Sequence, residues 1–234
     1  MQLKDHVVLV TGALGTLGSA TCEAIAAAGG MPIRSDLAGR GTVDISLDVT
    51  READWTEAMA QIAQTHGRLD GLVNNAGWNI SIPFPDLAAL DAGTWDRLFS
   101  TNLRGPYLLC RAAAPHLKAN GAGRIVNIAS VAGLNPGGSS IGYATSKAGL
   151  IHLTRCLAVA LGPEVTVNCV APGLMDGTRM TSRLRPEVVA GALQRAVLRR
   201  AASVDDVADQ VVAFCRSDSV TGQVLNIDAG VFFH

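Results

Sequence analysis

The sequence His6-Val-Val-Leu-Val-Thr11 runs directly into Gly12-Ala-Leu-Gly-Thr-Leu-Gly18 and then into 19–28. The first segment is a continuous apolar run, which is typical of a parallel strand buried on both faces. The last segment is rich in alanine and predicts a helix. A strand, a glycine loop and a helix in this order favour a phosphate site, because glycines admit phosphate to the backbone and the helix N-terminus supplies N–H groups. We therefore expect a bound dinucleotide to contact Gly12, Gly15, Thr16, Leu17 and Gly18.

Strands and helices alternate along the rest of the chain. Apolar runs predict strands at 31–36, 44–50, 69–74, 124–130, 165–171 and 222–230, and helical patterns predict helices at 52–66, 94–118, 143–161 and 203–217. This alternation predicts an α/β fold, a Rossmann-type, doubly wound parallel sheet of seven strands with helices on both faces. The segment between Asp36 and Asp48 is too short for a full crossover helix and predicts a turn near Gly39–Gly41. No linker or repeat divides residues 1–234, so we expect a single domain with a substrate lid around 175–200.

Composition narrows the class of protein. With 48% apolar and 17% charged residues the chain can bury a large core, and a net charge of −1 argues against nucleic acid or an anionic membrane as the main partner. No apolar run reaches the ~18 residues of a membrane span, and the N-terminal residues lack a signal peptide's apolar core, so a cytoplasmic protein is expected. The five cysteines are scattered without a C-x-x-C spacing, which favours reduced buried thiols and indicates no metal site.

A second stretch, Ser130–Lys147, carries side chains suited to proton transfer. Tyr143 and Lys147 are four residues apart, so a helix that begins near Tyr143 would place them on one face. An ammonium beside a phenol favours the phenolate, and such a tyrosine can exchange a proton with an alcohol or carbonyl oxygen. Ser130 ends an apolar run, where open α/β sheets place their sites, and could hold the reacting oxygen. An ordinary exposed helix pair would show the same spacing, which is the alternative.

Asp36 ends the second predicted strand, at a distance from Gly12 expected for a ribose-binding acid. Its carboxylate can accept hydrogen bonds from ribose hydroxyls and repels a 2′-phosphate, which favours NAD over NADP as the cofactor. Arg34 and Arg40 are close in sequence, and either could reach a 2′-phosphate instead. A solvated aspartate in a turn is the structural alternative.

These motifs together resemble the classical short-chain dehydrogenase/reductase family, and the resemblance extends from Val7 to Gly230. The Asn-Asn-Ala-Gly sequence at 74–77 is among the most specific signatures of that family, whose members use it to steady the central sheet and to line the adenosine side. The glycine loop departs from the usual T-G-x-x-x-G-x-G pattern. It reads T-G-x-x-G-x-x-G, as in the extended branch of the family, so the details of the phosphate turn differ.

The resemblance implies roles for further residues. Asn102 matches the asparagine that holds a water between the active-site lysine and solvent, so it joins Ser130, Tyr143 and Lys147 in the implied catalytic group. Thr178 lies one residue later than the family threonine that contacts a phosphate or the nicotinamide amide. Besides the glycine loop and Asp36, the positions implied to bind the cofactor are Asp48, Val49, Asn75, Ala76, Gly77, Tyr143, Lys147, Pro172, Gly173 and Thr178.

The implied activity is that of an NAD-dependent oxidoreductase that interconverts a secondary alcohol and a ketone. Three alternatives stay open: an NADPH-dependent 3-oxoacyl carrier-protein reductase, a cyclic dihydrodiol or sugar dehydrogenase, and a regulatory protein that binds NAD without turnover. The presence of Ser130, Tyr143 and Lys147 together argues against the last alternative. Relatives associate through the two long helices, at 94–118 and 143–161, so a homo-oligomer, a dimer or a homotetramer, is expected.

Two features near the expected substrate site have two interpretations each. Trp78 could line the substrate or nicotinamide site, or it could only pack against its neighbours. The lid segment has an excess of arginine, which could bind an anionic substrate group by paired hydrogen bonds or could face water on a mobile flap. These arginines are Arg179, Arg183, Arg185, Arg195, Arg199 and Arg200.

Overall fold

The structure is a computed structural model that describes residues 3–178, 181 and 186–233. Within these residues, seven parallel strands form one sheet: β1 (Val7–Thr11), β2 (Met31–Asp36), β3 (Ile45–Ser46), β4 (Gly71–Asn74), β5 (Gly123–Ile128), β6 (Val165–Pro172) and β7 (Val224–Ile227). Their spatial order is β3-β2-β1-β4-β5-β6-β7, so the chain changes direction across the sheet between β1 and β4. Open α/β sheets bind their ligands at such a switch point, beyond the carboxyl ends of the strands.

The described helices are α1 (Thr16–Ala27), α2 (Glu52–His66), α3 (Ala92–Phe99), α4 (Gly105–Ala119), α5 (Ile141–Leu161), α6 (Pro186–Arg195) and α7 (Val204–Arg216). A π-helical turn at Ser100–Arg104 joins α3 to α4, and a 3₁₀ turn at Val131–Gly133 follows β5. None of the helices in the described part of the chain is long and apolar enough to cross a membrane.

The continuous apolar strands explain why both faces of the sheet carry helices. Successive side chains of β1 point to opposite faces, so Leu9 joins one core while Val8 and Val10 join the other. The first core contains Trp55 of α2 and residues of α4 and α5. The second contains Ile25 of α1 and residues of α7. The predicted fold class, a doubly wound parallel sheet, is therefore confirmed.

Most element bounds lie close to the sequence predictions, but α6 has no predicted counterpart and three predicted elements differ more. The predicted strand at 44–50 is reduced to β3, because Asp48 turns the chain by accepting the Thr50 N–H and O–H at 2.9 and 2.7 Å. The predicted strand at 222–230 is reduced to β7. The predicted single helix at 94–118 is interrupted by the π-helical turn. The turn predicted in place of a helix between β2 and β3 is confirmed.

A ladder of buried polar side chains crosses the centre of the fold. The side-chain amide of Asn74 on β4 donates to the Asn127 carbonyl oxygen on β5 at 2.8 Å. Asn127 in turn donates to the Thr154 hydroxyl on α5 at 2.9 Å, and that hydroxyl donates to the Leu150 carbonyl at 2.9 Å. Because a buried polar group without a partner is costly, this satisfied chain favours one register of β4, β5 and α5.

Candidate active site

A cleft of about 1630 Å³ runs along the carboxyl ends of the strands, from Asp36 to the far side of Tyr143. The residues predicted from the sequence that line it are Gly12, Gly15, Thr16, Leu17, Gly18, Asp36, Asp48, Val49, Asn75, Ala76, Gly77, Ser130, Tyr143, Gly173 and Thr178. Three other predicted residues are not part of the lining: Asn102, Lys147 and Pro172. The cleft therefore brings together positions from both halves of the chain.

Ser130, Tyr143 and Lys147 meet because β5 and α5 lie side by side. The hydroxyl of Ser130 accepts the Ala132 N–H at 3.2 Å, which starts the 3₁₀ turn after β5. On α5, Tyr143 is 7% exposed and Lys147 is 4% exposed. The Lys147 ammonium lies 5.8 Å from the centre of the Tyr143 ring and donates to the Ile128 carbonyl at 2.8 Å. The Ile128 carbonyl at the end of β5 thus holds the Lys147 ammonium close to the Tyr143 ring.

Burial is the main cause of the pKa shifts of Tyr143 and Lys147. It raises the pKa of Tyr143 above the usual range for a phenol, and hydrogen bonding with Ser130 opposes that shift. The sequence leads us to expect that Lys147 lowers the pKa of Tyr143, whereas in the protein without its dinucleotide the net shift of that pKa is upward. Burial lowers the pKa of Lys147 itself to about 8, so the lysine is a weaker source of positive charge than its spacing suggests.

This shift predicts a pH dependence of stability that a Lys147→Met variant should remove. Between pH 8 and the usual lysine pKa, the unfolded chain binds more protons than the folded one, so the free energy of unfolding rises with pH. We expect a rise of about 1–2 kcal/mol from this group over 1.5 pH units above pH 8. Urea unfolding of both proteins at several pH values measures it. Parallel curves for the two proteins would show that burial does not shift this lysine.

Asn102 connects the π-helical turn to the cleft. Its amide accepts the Trp78 N–H and donates to the Trp78 carbonyl, both at 2.8 Å. It also donates to the buried hydroxyl of Ser146 at 3.1 Å, and Ser146 donates to the Tyr143 carbonyl at 2.8 Å. Sequence reasoning missed Ser146 and also Ser140, whose hydroxyl caps α5 by accepting the Tyr143 N–H at 3.2 Å. A serine a few residues before the predicted helix at 143–161 was the available signal for the cap.

The glycine loop has the shape of a phosphate cradle. Gly12 has φ of +65°, and a Cβ atom there would lie 2.9 Å from the Ala76 Cα. A Cβ at Gly18 would overlap the Gly12 carbonyl oxygen and lie 2.8 Å from the Ala13 Cα. Gly15 caps α1 without a side-chain hydrogen bond, and no acidic residue stands in the first turn. The free N–H groups of that turn therefore fit a pyrophosphate.

Asp36 lies at the end of β2 and is 4% exposed. One carboxylate oxygen accepts the Leu14 N–H at 3.1 Å. The other accepts the Leu37 N–H at 2.8 Å and pairs with the Arg40 guanidinium at 3.1 Å. The short connection after β2 therefore places Arg40 beside the carboxylate, as its sequence position suggests. Leu14 and Leu37 also line the cleft, and no sequence motif marks either of them.

Flanking side chains fix the rest of the cradle. The Asn75 amide donates to the carbonyls of Thr11 and Gly12, at 2.9 and 3.1 Å, and ties the loop to the end of β4. Gly173 approaches Asp228 so closely that a Cβ would lie 2.6 Å from the Asp228 Cβ. The residues present thus fit a dinucleotide along the carboxyl ends of β1, β2, β4 and β6.

The substrate side of the cleft is formed by several segments. Trp78 lines it, which is one of the two interpretations that the sequence leaves open. Of the lid arginines, Arg195 and Arg200 line the cleft and Arg199 is exposed elsewhere, while Arg179, Arg183 and Arg185 fall outside the described residues. Phe232 also lines the cleft, because Asp228 accepts its N–H at 2.9 Å and folds the last residues back. No sequence motif marks Phe232 or Arg97, which lines the same side.

Comparison with known proteins places this geometry in a family. The model of the adh_short_C2 family, described as enoyl-(acyl carrier protein) reductase, matches residues 17–232. The chain is 38% identical to "Granaticin polyketide synthase putative ketoacyl reductase 2" of Streptomyces violaceoruber, over 96% of this chain and 95% of that one. It is 36% identical to the 3-oxoacyl-acyl-carrier-protein reductase FabG of Thermotoga maritima, over 99% of each chain.

A solved structure shares the fold over nearly its whole length. It is described as a "putative gluconate dehydrogenase" from Agrobacterium tumefaciens, is 28% identical, and superposes with a TM-score of 0.90 over 98% of this chain and 97% of that chain. The match to the family model, the identity to full-length relatives, and the dinucleotide cradle beside a Ser–Tyr–Lys group lead to one conclusion. The chain belongs to the classical short-chain dehydrogenase/reductase family, whose members are nicotinamide-dependent oxidoreductases that act on CH–OH or keto groups.

Proposed function

We propose that the protein is an NAD-dependent oxidoreductase that interconverts a secondary alcohol and a ketone. The observation that carries the proposal is the meeting of Ser130, Tyr143 and Lys147 at one end of a cleft whose other end is the dinucleotide cradle with Asp36. A bound nicotinamide supplies or accepts the hydride at the carbon of the substrate. The residues of the chain orient the substrate and move its proton.

The proton transfer follows from the burial of the tyrosine. With its pKa above the usual range, Tyr143 is protonated near neutral pH and can donate to the carbonyl oxygen during ketone reduction. Ser130, which lies at the phenol, would hold the same oxygen by a hydrogen bond. For alcohol oxidation the phenolate is required, so positive charge from Lys147 and an oxidised nicotinamide must offset the burial. Asn102 acts on this group as a positioning residue, through Ser146 and Trp78.

The choice of NAD rests on Asp36. Its carboxylate lines the cleft at the end of β2, where it would accept hydrogen bonds from the adenosine ribose, and charge-assisted hydrogen bonds of this kind contribute roughly 1.5–3 kcal/mol. A 2′-phosphate at the same place would meet like charge. The ion pair with Arg40 reduces that repulsion. The reduction is partial, because the guanidinium is 41% exposed and water screens its charge, while the carboxylate is almost fully buried.

The cofactor preference is the direct test of this choice. We expect NADH to bind at least ~10-fold more tightly than NADPH, since 1.4 kcal/mol corresponds to a factor of ten. Asp36→Ala should reduce that ratio, because ribose binding weakens and the repulsion of the phosphate disappears. Arg40→Ala should increase the ratio, because it removes the cation nearest to a 2′-phosphate. Titration of the binding of each dinucleotide measures the ratios without a substrate.

A second candidate is an NADPH-dependent 3-oxoacyl carrier-protein reductase. Arg40 favours it, since this half-exposed guanidinium could turn from Asp36 to a 2′-phosphate. Two of the full-length relatives also carry ketoacyl or 3-oxoacyl reductase names. Equal binding of NADPH and NADH by the unmodified protein would favour this candidate over the NAD-dependent one.

We also propose that the protein is cytoplasmic and forms a homo-oligomer. The assembly would be a dimer or a tetramer whose subunits meet through α4 and α5. Tyr107 on α4 and Val159 on α5 expose 43% and 86% of their surface, and burying them against a second copy would contribute to such an interface. Sedimentation equilibrium gives the mass of the assembly. A monomer at the concentrations of the assay would contradict the proposal.

A further inference from the structure

The substrate end of the cleft has more positive charge than the proposed reaction uses. Arg97, Arg195 and Arg200 line this end, and none of them pairs with an acidic side chain in the ranges that the structure describes. Asp228 lines it too, but it forms an ion pair with none of these three arginines, and its carboxylate oxygens accept the Gly230 and Phe232 N–H groups at 2.9 Å. The cations therefore remain available to a ligand.

Among the three arginines, Arg97 is the one that is held in place. Its guanidinium carbon lies 4.2 Å from the centre of the Trp78 ring, over the face of the indole. The Trp78 backbone is fixed on both sides by the Asn102 amide, at 2.8 Å each. A guanidinium over an aromatic face keeps the N–H donors at its edge free, in a planar fork that fits a carboxylate. Asn102 and Trp78 thus fix the guanidinium relative to the cleft.

Apolar side chains lie between this cation and the proposed proton donor. Trp78, Ile80 and Phe84 line the cleft and pack against the buried cluster that includes Tyr143. The stack of Trp95 on Phe99, with ring centres 4.7 Å apart, supports the same side from α3. A ligand that reaches from Tyr143 to Arg97 must therefore have an apolar body and an anionic end.

We propose that Arg97, stacked on Trp78, binds a carboxylate of the substrate, and that the substrate is an apolar hydroxy or keto acid. The inference rests on the proposed function, because it takes Tyr143 as the place of the reacting carbonyl. It assigns the anion to Arg97 on α3, and Arg195 and Arg200 of the lid are the competing anchors.

The test compares two ketones of nearly the same shape, 4-acetylbenzoate and 4-acetylbenzamide, which end in a carboxylate and in an uncharged amide. Their binding is measured by calorimetry to the protein saturated with oxidised dinucleotide, where no reduction can occur. We expect the acid to bind at least ~10-fold more tightly than the amide, the range given by a charge-assisted pair. Arg97→Gln should remove this preference and leave the amide affinity unchanged. Arg216→Gln, an exposed arginine of α7 outside the cleft, should keep the preference and serves as the charge control.

Turnover separates the two proposals. Reduction of the acid, if the proposed function holds, should show a raised KM with a nearly unchanged kcat in Arg97→Gln. Equal binding of acid and amide, no binding of either, or a preference that survives in Arg97→Gln would overturn the anion site. A preference lost instead in Arg195→Gln would also overturn it, in favour of the lid. Charge-dependent binding without turnover of any ketone would refute the proposed oxidoreductase function and leave the anion site standing.

Discussion

A Tyr143→Phe variant should lose ~10²-fold or more in kcat, because general acid–base catalysis by a positioned side chain contributes that much or more. The change removes one hydroxyl, while the ring keeps its place in the buried cluster with Ala132 and Leu98. Binding of the dinucleotide and the free energy of unfolding should therefore change little. Steady-state kinetics on a reactive ketone, with circular dichroism and dinucleotide titration beside them, measures all three.

The chain offers a matched control, since it contains two tyrosines. Tyr107 lies on α4 with 43% of its surface exposed, so Tyr107→Phe removes the same hydroxyl away from the cleft. That variant should keep full activity. A Tyr143→Phe protein with near-normal kcat would show that another group carries the proton, and the assignment of the Ser–Tyr–Lys site would then be wrong.

A Gly18→Ala variant should lose ~10²-fold in dinucleotide affinity, since hydrogen bonds to a charged group contribute about 1.5–3 kcal/mol each and every 1.4 kcal/mol is a factor of ten. The added methyl would overlap the Gly12 carbonyl oxygen and press on Ala13, so the loop must move away from α1. Overpacking of this kind also destabilises a fold by about 1–3 kcal/mol. Dinucleotide titration gives the first effect, and thermal unfolding gives the second.

Gly191→Ala is the control for replacing a glycine as such. Gly191 lies in α6, and a Cβ there would meet no atom within 4 Å. This variant should bind the dinucleotide as the unmodified protein does, with stability unchanged or slightly raised because alanine favours a helix. If Gly18→Ala bound the dinucleotide as tightly as this control, the glycine loop would not be the phosphate cradle.

The elements that depend on local pattern are predictable from the sequence. The sequence predicts α2 with the bounds that the structure has, because Trp55, Met59 and Ile62 recur on one face and bury there. Gly67, in the left-handed conformation with φ of +68°, then ends the helix. The glycine loop and the acid at the end of β2 are likewise motifs with fixed spacing, and both line the cleft.

Properties that depend on tertiary packing are not predictable in this way. The spacing of Tyr143 and Lys147 places them on one face of α5, but burial determines the direction in which each pKa moves. The stack of Arg97 on Trp78 is also a tertiary contact, because it joins two separate segments and the Asn102 amide holds the Trp78 backbone. No motif in the sequence marks Arg97 or Trp78 for this contact. Phe232 reaches the cleft only because Asp228 bends the C-terminal residues.

The π-helical turn allows α3 and α4, which follow one another without a break, to pack against two different hydrophobic clusters. The Gly105 N–H donates to the Ser100 carbonyl, five residues back, so the turn holds more residues than a regular one. In a regular helix each residue adds roughly 100° of rotation, and the wider turn resets this phase between α3 and α4. Leu98 can then face the cluster around Tyr143 while Leu109 faces the sheet. If the same residues formed a regular helix instead, Leu98 and Leu109 would lie on almost the same face and could not reach two different clusters, and Asn102 would turn away from Trp78.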